Sequence, residues 1–156
     1  MEQIRVLLVD DDRTVRDPIR RVLEGMGWAV DEAADLAVAR RVFERFRPDA
    51  VVLDFQLPDG TALDLLPAIR REDEYVPVLI LTGHSEIDVA VATIKAGADQ
   101  FLVKPVELGT LRDLLQRTLD ERRSARRGRA GARLERREEL DPFAGESTAI
   151  RTLERE

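Results

Sequence analysis

Five short apolar runs, each followed by a stretch of helical period, recur along this chain and leave few folds open to it. The runs are Ile4–Val9, a weaker one at Trp28–Asp31, Ala50–Leu53, Val78–Leu81 and Gln100–Val103. About ten to fifteen residues of helix-period sequence separate them, as in βαβ units joined into a parallel sheet. The segments "RVLLV", "AVVL" and "VLIL" show no polar alternation. Strands covered by helices on both faces read this way.

The bulk properties narrow the class. The 156 residues suit one such domain plus an appendage. A chain 44% apolar and 36% charged can bury one core and is too charged for a membrane protein. No apolar run approaches the roughly 20 residues that span a bilayer. The few apolar residues before Asp10 match neither a signal nor a transit peptide, so a cytoplasmic location is expected. There is no Cys, which excludes disulfide and thiol chemistry. A net charge of −6 argues against nucleic-acid binding by the whole chain and leaves a local patch open. Lysine occurs only at Lys95 and Lys104, which makes each worth inspecting.

Helix ends are legible. Thr14-x-x-Asp17, Thr61-x-x-Asp64 and Ser85-x-x-Asp88 each read as a capping box with Asp in place of Glu. Ile87, Val91 and Ile94 fall at helical spacing and are expected to face the sheet. Gly97 stands where a left-handed C-cap belongs. Pro18 is expected near the end of the first turn of helix one. Pro67 falls further into helix three and predicts a kink or a late start. A fifth helix starting near Glu107 carries Leu108, Leu111, Leu115 and Leu119 on one side, and is expected to fray at Gly128 and Gly131. From residue 119 the character changes, giving a domain over 1–120, an Arg-rich helical linker over 121–140 and a third zone over 141–156. The third zone is too short to fold alone. The Arg cluster over 122–137 could bind DNA, but it interleaves with Glu and lacks aromatics and a recognition-helix pattern, so a solvated linker is the better reading.

The triplet Asp10, Asp11, Asp12 directly follows the first apolar run. Unit charges 4 Å apart repel by about 4 kcal/mol at an effective dielectric near 20. A row of three therefore calls for a compensating cation or a catalytic role. In open parallel sheets, ligands bind at the carboxyl ends of the strands. Collected there are Asp10, Asp11 and Asp12 after strand one, Asp54 after strand three, Thr82 after strand four and Lys104-Pro105 after strand five. One reading is a magnesium cradle. The other is a phosphatase loop, since Asp10-x-Asp12-x-Thr14 resembles the D-x-D-x-T signature of haloacid-dehalogenase hydrolases. That reading leaves Asp54 without a role, and it needs a further acidic motif on a strand after Lys104, where only helix and Arg-rich sequence follow.

Together "VDDD", "LDFQLPDG", "ILTGH" and "FLVKP", in order and at strand ends, resemble the receiver domain of bacterial response regulators over residues 4 to about 120. The resemblance implies a flavodoxin-like (βα)5 sandwich with strand order 2-1-3-4-5. It implies phosphorylation of Asp54 by a sensor histidine kinase, with Mg²⁺ held by Asp11, Asp10, Asp54 and the backbone carbonyl of Gln56. Asp12 falls outside the usual pair and is expected to flank the pocket or start helix one. Lys104 pairs with Asp54 at rest and with a phosphoryl oxygen afterwards, and Pro105 matches the family's cis-proline. Three apolar residues before Lys104 argue against a plain surface charge. Thr82 contacts the phosphoryl group, Phe101 is the switch aromatic, and Gln56 and His84 tune dephosphorylation. The plainer readings are a strand-ending Thr82, a core Phe101 and a rim His84. Ala62 departs from the family's loop pattern and puts the turn after Asp54 in question. The implied activity is self-catalysed phosphotransfer and dephosphorylation, not turnover of a substrate.

The piece "FAGESTAIRTL" resembles the opening of the AAA+ ATPase domain of sigma-54-dependent enhancer-binding activators. The P-loop pattern is absent. This resemblance implies a truncated activator whose receiver gates a downstream AAA+ domain and sigma-54 RNA polymerase. It also implies a homodimer through helix five and the linker, with no direct DNA binding by this chain. A phosphorelay intermediate without DNA output is the alternative.

Overall fold

The computed structural model describes residues 3–83 and 87–136, with all of their side chains except those of Ile87, Arg123 and residues 125–136. His84, Ser85 and residues 137–156 lie outside, and with them the tuning role given to His84, the third capping box and the ATPase-like segment. In chain order the elements are β1 Arg5–Val9, α1 Arg13–Gly25, β2 Ala29–Ala33, α2 Leu36–Phe46 and β3 Ala50–Asp54. There follow β4 Gln56–Leu57, β5 Gly60–Thr61, α3 Ala62–Glu72, β6 Val78–Thr82, α4 Ile87–Lys95, β7 Gln100–Val103 and α5 Leu108–Arg136. Five strands pair in parallel in the order β2-β1-β3-β6-β7, and β4 and β5 form a separate small antiparallel hairpin. Counted by sheet strands alone, this is the expected 2-1-3-4-5 order.

Alternate residues of each buried strand feed two cores. Leu7, Val9, Val51, Leu53, Val78 and Ile80 pack against α2, α3 and α4 through residues such as Phe43, Leu66 and Ile94. Val6, Leu8, Ala50, Val52, Leu79 and Leu81 pack against α1 and α5 through Ile19, Leu23, Leu111, Leu115 and Leu119. The period-two geometry of a strand makes this division, and burial on both faces explains the unbroken apolar runs. Among the described residues, no helix is long and apolar enough to cross a membrane.

Several expectations need correction. β2 starts at Ala29, because Trp28 N–H still bonds to Leu23 O at 3.3 Å and Ala29 N–H opens the pairing to Ile4 O at 2.8 Å. The cap of α1 is Asp12, whose carboxylate accepts from Thr14 N–H at 2.9 Å, so the helix starts before the Thr14 box. Pro18 is consequently the sixth helical residue, past the first turn. Pro67 holds the same place in α3, which starts at Ala62 and not late. The capping box of α3 has both halves, Leu63 N–H to Thr61 Oγ1 at 3.3 Å and Thr61 N–H to Asp64 Oδ2 at 2.9 Å.

Val91 does not face the sheet; it is 40% exposed, while Ala90, Thr93 and Ile94 turn inward. Small Ala90 and Thr93 let α4 approach closely, and the Thr93 hydroxyl donates to Ala90 O at 2.9 Å. Gly97 follows α4 at a φ of 118°, as its C-cap role predicts. Leu111, Leu115 and Leu119 are consumed by the second core, so that leucine face is not open to a second copy. α5 runs through Gly128 and Gly131 to Arg136 without fraying at the glycines. Each Gly costs about 1 kcal/mol relative to Ala, and the surrounding Ala, Arg, Glu and Leu are good helix formers.

At the amino edge of the sheet, Asp99 joins four elements. Its Oδ2 accepts from Val78 N–H at 2.8 Å and from Arg70 Nη2 at 3.1 Å, and its Oδ1 accepts from Arg122 Nε at 2.7 Å and from Arg122 Nη2. Arg70 also donates to Gly97 O at 2.9 Å and Val76 O at 2.7 Å. α5 is thus pinned to the domain three residues past its last core leucine.

Candidate functional site

The carboxyl ends of β1, β3, β6 and β7 bring together the residues collected from the sequence. Asp10 follows β1 and is fully buried; its N–H continues the ladder to Ala33 O at 3.1 Å. Asp54 closes β3 and is 5% exposed. Thr82 closes β6, is buried, and its carbonyl accepts from Lys104 N–H at 2.7 Å. That bond places the lysine directly beyond β7. The Lys104–Pro105 peptide is cis, as the family resemblance implies.

Lys104 Nζ lies 3.1 Å from Asp10 Oδ2 and 3.2 Å from Asp54 Oδ1. Burial pulls the Lys104 ammonium down, but Asp10 and Asp54 outweigh it and hold it above its ordinary value. Asp54 is pushed up to about 6, first by burial and then by Asp10, against the pull of Lys104 and the Gln56 backbone N–H. A single cation does not offset this much negative charge.

A hard divalent cation fits the surplus. Among the described residues, Asp10, Asp11 and Asp54 each offer a carboxylate oxygen within 4.8 Å of the others. Asp10 Oδ1 accepts from Asp12 N–H at 2.9 Å. Asp10 Oδ2 is buried and has no hydrogen-bond partner beyond its ion pair with Lys104 at 3.1 Å. A buried carboxylate oxygen without a hydrogen bond is costly, and three oxygen donors, one of them on exposed Asp11, suit Mg²⁺, which keeps several waters.

Asp12 stands apart. It caps α1, and its carboxylate takes Thr14 Oγ1 at 2.7 Å, which with the Thr14 N–H lowers its pKa. The Asp12–Thr14 pair of the phosphatase signature is therefore engaged in a helix cap, and the converging acid is Asp54. Gln56 has its side chain in solvent and its backbone N–H on Asp54. Phe101 lies on the edge strand β7 and is 37% exposed, so it is not permanent core.

The turn after Asp54 is shaped by Gly60 and Asp59. Gly60 has φ 149°, and a Cβ there would come within 2.5 Å of Asp64 Oδ2 and 2.8 Å of Leu36 Cδ1. Asp59 accepts from Leu36 N–H at 2.9 Å and Ala37 N–H at 3.1 Å, tying the loop to the start of α2. Ala62 is simply the first residue of α3. Asp59 and Arg16 (whose Nη1 donates to Asp10 O at 2.5 Å) were not singled out from the sequence. Both act on backbone groups of distant residues, and no local pattern marks such a partner.

Fold and site together define a flavodoxin-like α/β domain with an acidic pocket at its carboxyl edge. The chain belongs to the response regulator receiver domain family, whose pattern matches residues 6–116. Response regulator MprA of Mycobacterium sp. (strain KMS) is 40% identical over 119 residues, covering 74% of this chain and 52% of that protein. The chain thus spans about half the length of the curated relatives it matches. Among solved structures, a CheY-like response regulator receiver domain protein from Methanospirillum hungatei JF-1 superposes with a TM-score of 0.76 at 27% identity, covering 80% of this chain and 99% of that one. NtrX from Brucella abortus superposes with a TM-score of 0.77 at 28% identity, covering 83% of this chain and 29% of that one.

Proposed function

We propose that this receiver accepts a phosphoryl group on Asp54 from a sensor histidine kinase. The observation that carries the reading is the convergence of Asp54 with Asp10, Asp11 and Lys104 at the carboxyl end of the central strand β3. A carboxylate oxygen of Asp54 attacks phosphorus, the bond from phosphorus to the donor histidine nitrogen breaks, and an acyl phosphate forms. Asp10, Asp11, Asp54 and the Gln56 carbonyl would hold Mg²⁺, which when bound would neutralise charge on the transferring oxygens. Lys104 exchanges its contact with Asp54 for a phosphoryl oxygen, and the Thr82 hydroxyl supplies a hydrogen bond to another. The added charge of about −1.5 to −2 biases the packing of Thr82 and Phe101 and so alters the surface of α4, β7 and α5. Hydrolysis of the acyl phosphate, tuned by Gln56 and His84, returns the domain to rest. The chemistry is stoichiometric and self-catalysed.

The output is proposed on narrower grounds. The segment "FAGESTAIRTL" and the likeness to NtrX support a receiver that gates a sigma-54 AAA+ activator. The likeness to MprA, of which the match covers 52%, does not favour that output. A homodimer, if built on α5, uses the part beyond Leu119.

The test is labelling with acetyl phosphate and Mg²⁺. Wild type gains a hydroxylamine-sensitive phosphate and Asp54→Ala gains none; equal labelling of both overturns the assignment. Turnover of a generic phosphate ester that depends on Asp10 and not on Asp54 supports the phosphatase reading instead. Mass in solution with Mg²⁺ and beryllium fluoride then reports whether the phosphorylated state changes assembly.

A further inference from the structure

We infer that Arg16 is a positioning residue that sets the two β1-end carboxylates, Asp10 and Asp11, in the arrangement that binds the cation. The inference rests on the reading of the site as a Mg²⁺ pocket and adds to it a residue on α1 that no ligand set includes.

Arg16 Nη1 donates to the carbonyl oxygen of Asp10 at 2.5 Å. That carbonyl lies just past the end of β1, where the ladder stops. The peptide that carries it also carries Asp11 N and Cα, and a peptide unit is rigid and planar. Fixing the direction of the Asp10 carbonyl therefore fixes where the chain places Asp11 relative to Asp10. The Asp10 N–H is held on its other side by Ala33 O at 3.1 Å. The Asp10 carboxylate is oriented by Asp12 N–H at 2.9 Å, which leaves Oδ2 buried and without a hydrogen bond. Lys104 Nζ reaches the Asp10 carboxylate at 3.1 Å, and Arg16 is the side chain that holds the Asp10 main-chain carbonyl.

Arg16 is itself braced. Its Nε donates to Glu32 Oε1 at 2.9 Å, and Arg20 Nη1 holds Glu32 Oε2 at 2.8 Å and Asp17 Oδ1 at 3.2 Å. The Arg16 side chain is only 13% exposed. Glu32 lies on β2 in register with Leu8 of β1. The brace runs from the edge strand through α1 to the acidic loop, so the guanidinium arrives pre-set and not as a mobile surface charge.

A positioning role and a plain charge effect predict opposite signs. A cation beside the acidic loop opposes Mg²⁺ by repulsion, so removing it for charge reasons alone tightens binding. Losing the carbonyl contact loosens the Asp10–Asp11 geometry and weakens binding. Outer partners of metal ligands typically contribute about 10- to 100-fold in affinity.

The experiment is calorimetric titration of the full chain with Mg²⁺ and no phosphodonor, for wild type, Arg16→Gln, Arg16→Met and Arg16→Lys. Thermal melts in EDTA run alongside. Arg16→Gln and Arg16→Met are expected to weaken Mg²⁺ roughly 10-fold or more. Arg16→Lys keeps a donor and is expected to recover much of that loss. If one truncation fails to fold in EDTA, the other carries the test. Folded truncations that bind Mg²⁺ as tightly as wild type, or more tightly, overturn the assignment of Arg16. A wild-type chain that binds no Mg²⁺ overturns the Mg²⁺ reading beneath it, which separates the two failures.

Discussion

Asp54 carries the largest electrostatic burden of any group at the acidic edge. Its folded pKa of about 6 stands above the unfolded value of 3.8. Between those values the folded state binds more protons than the unfolded one, so stability falls as pH rises through this window, and the loss persists at neutral pH. A shift of about two units corresponds to about 3 kcal/mol. Asp54→Asn removes the charge and leaves Lys104 its contact with Asp10. In metal-free buffer the variant is expected to melt higher than wild type at neutral pH, with the advantage shrinking on acidification and gone near pH 4. An advantage that does not change with pH contradicts a charge origin. The pocket is thus poor in stability until a cation or a proton arrives.

The elements divide their work by sheet edge. The carboxyl ends of β1, β3 and β6 and the start of the β7–α5 loop hold the chemistry, and the amino edge holds the Asp99 junction. Arg122 reaches that junction from α5, beyond Leu119, with both Nε and Nη2 on Asp99. Arg122→Ala leaves Asp99 its bonds to Arg70 and Val78 and removes one charged pair, a cost of about 1–3 kcal/mol. Hydrogen exchange is expected to quicken along α5 after residue 118 while β1 and β3 stay protected. Unchanged exchange in α5 dismisses the junction as the anchor of the helix. Phe101 and Val91 remain exposed on β7 and α4.

For the whole molecule, a cation bound at the acidic edge would couple to folding. A ligand that binds only the folded state stabilises it by about 2.7 kcal/mol at 100-fold excess over its Kd. Mg²⁺ is therefore expected to raise the melting temperature by several degrees in a concentration-dependent way. Asp11 is exposed and in the carboxylate group, so Asp11→Asn should abolish the shift with little effect on the metal-free melt. A shift that survives in Asp11→Asn places the cation elsewhere.

Fold class and most of the site are local in origin. Unbroken apolar runs and helices with Asp, Thr and Gly at their ends mark the elements, and a parallel sheet then sends Asp10, Asp54, Thr82 and Lys104 to one edge by connectivity alone. The inward face of α4 was misread because Val91 and Ala90 have equal claims by periodicity, and only packing against β7 chooses the small residue. The spacing of the α5 leucines gives them one side of the helix but does not say whether the covering surface belongs to the same chain; here it does. Spacing does not separate Asp11 from Asp12, but the family resemblance set Asp12 apart as the start of helix one, and it caps α1 while Asp11 stays with the carboxylate group. Arg16, Asp59 and Arg122 do their work on groups 6 to 23 positions away in sequence. The sequence alone determined which elements form and which end of the sheet carries the charge, because both follow from short-range pattern and chain direction. Which carboxylates converge, which arginines hold them and which apolar faces stay exposed were decided by tertiary structure, because those are contacts between residues that only the closed fold makes neighbours.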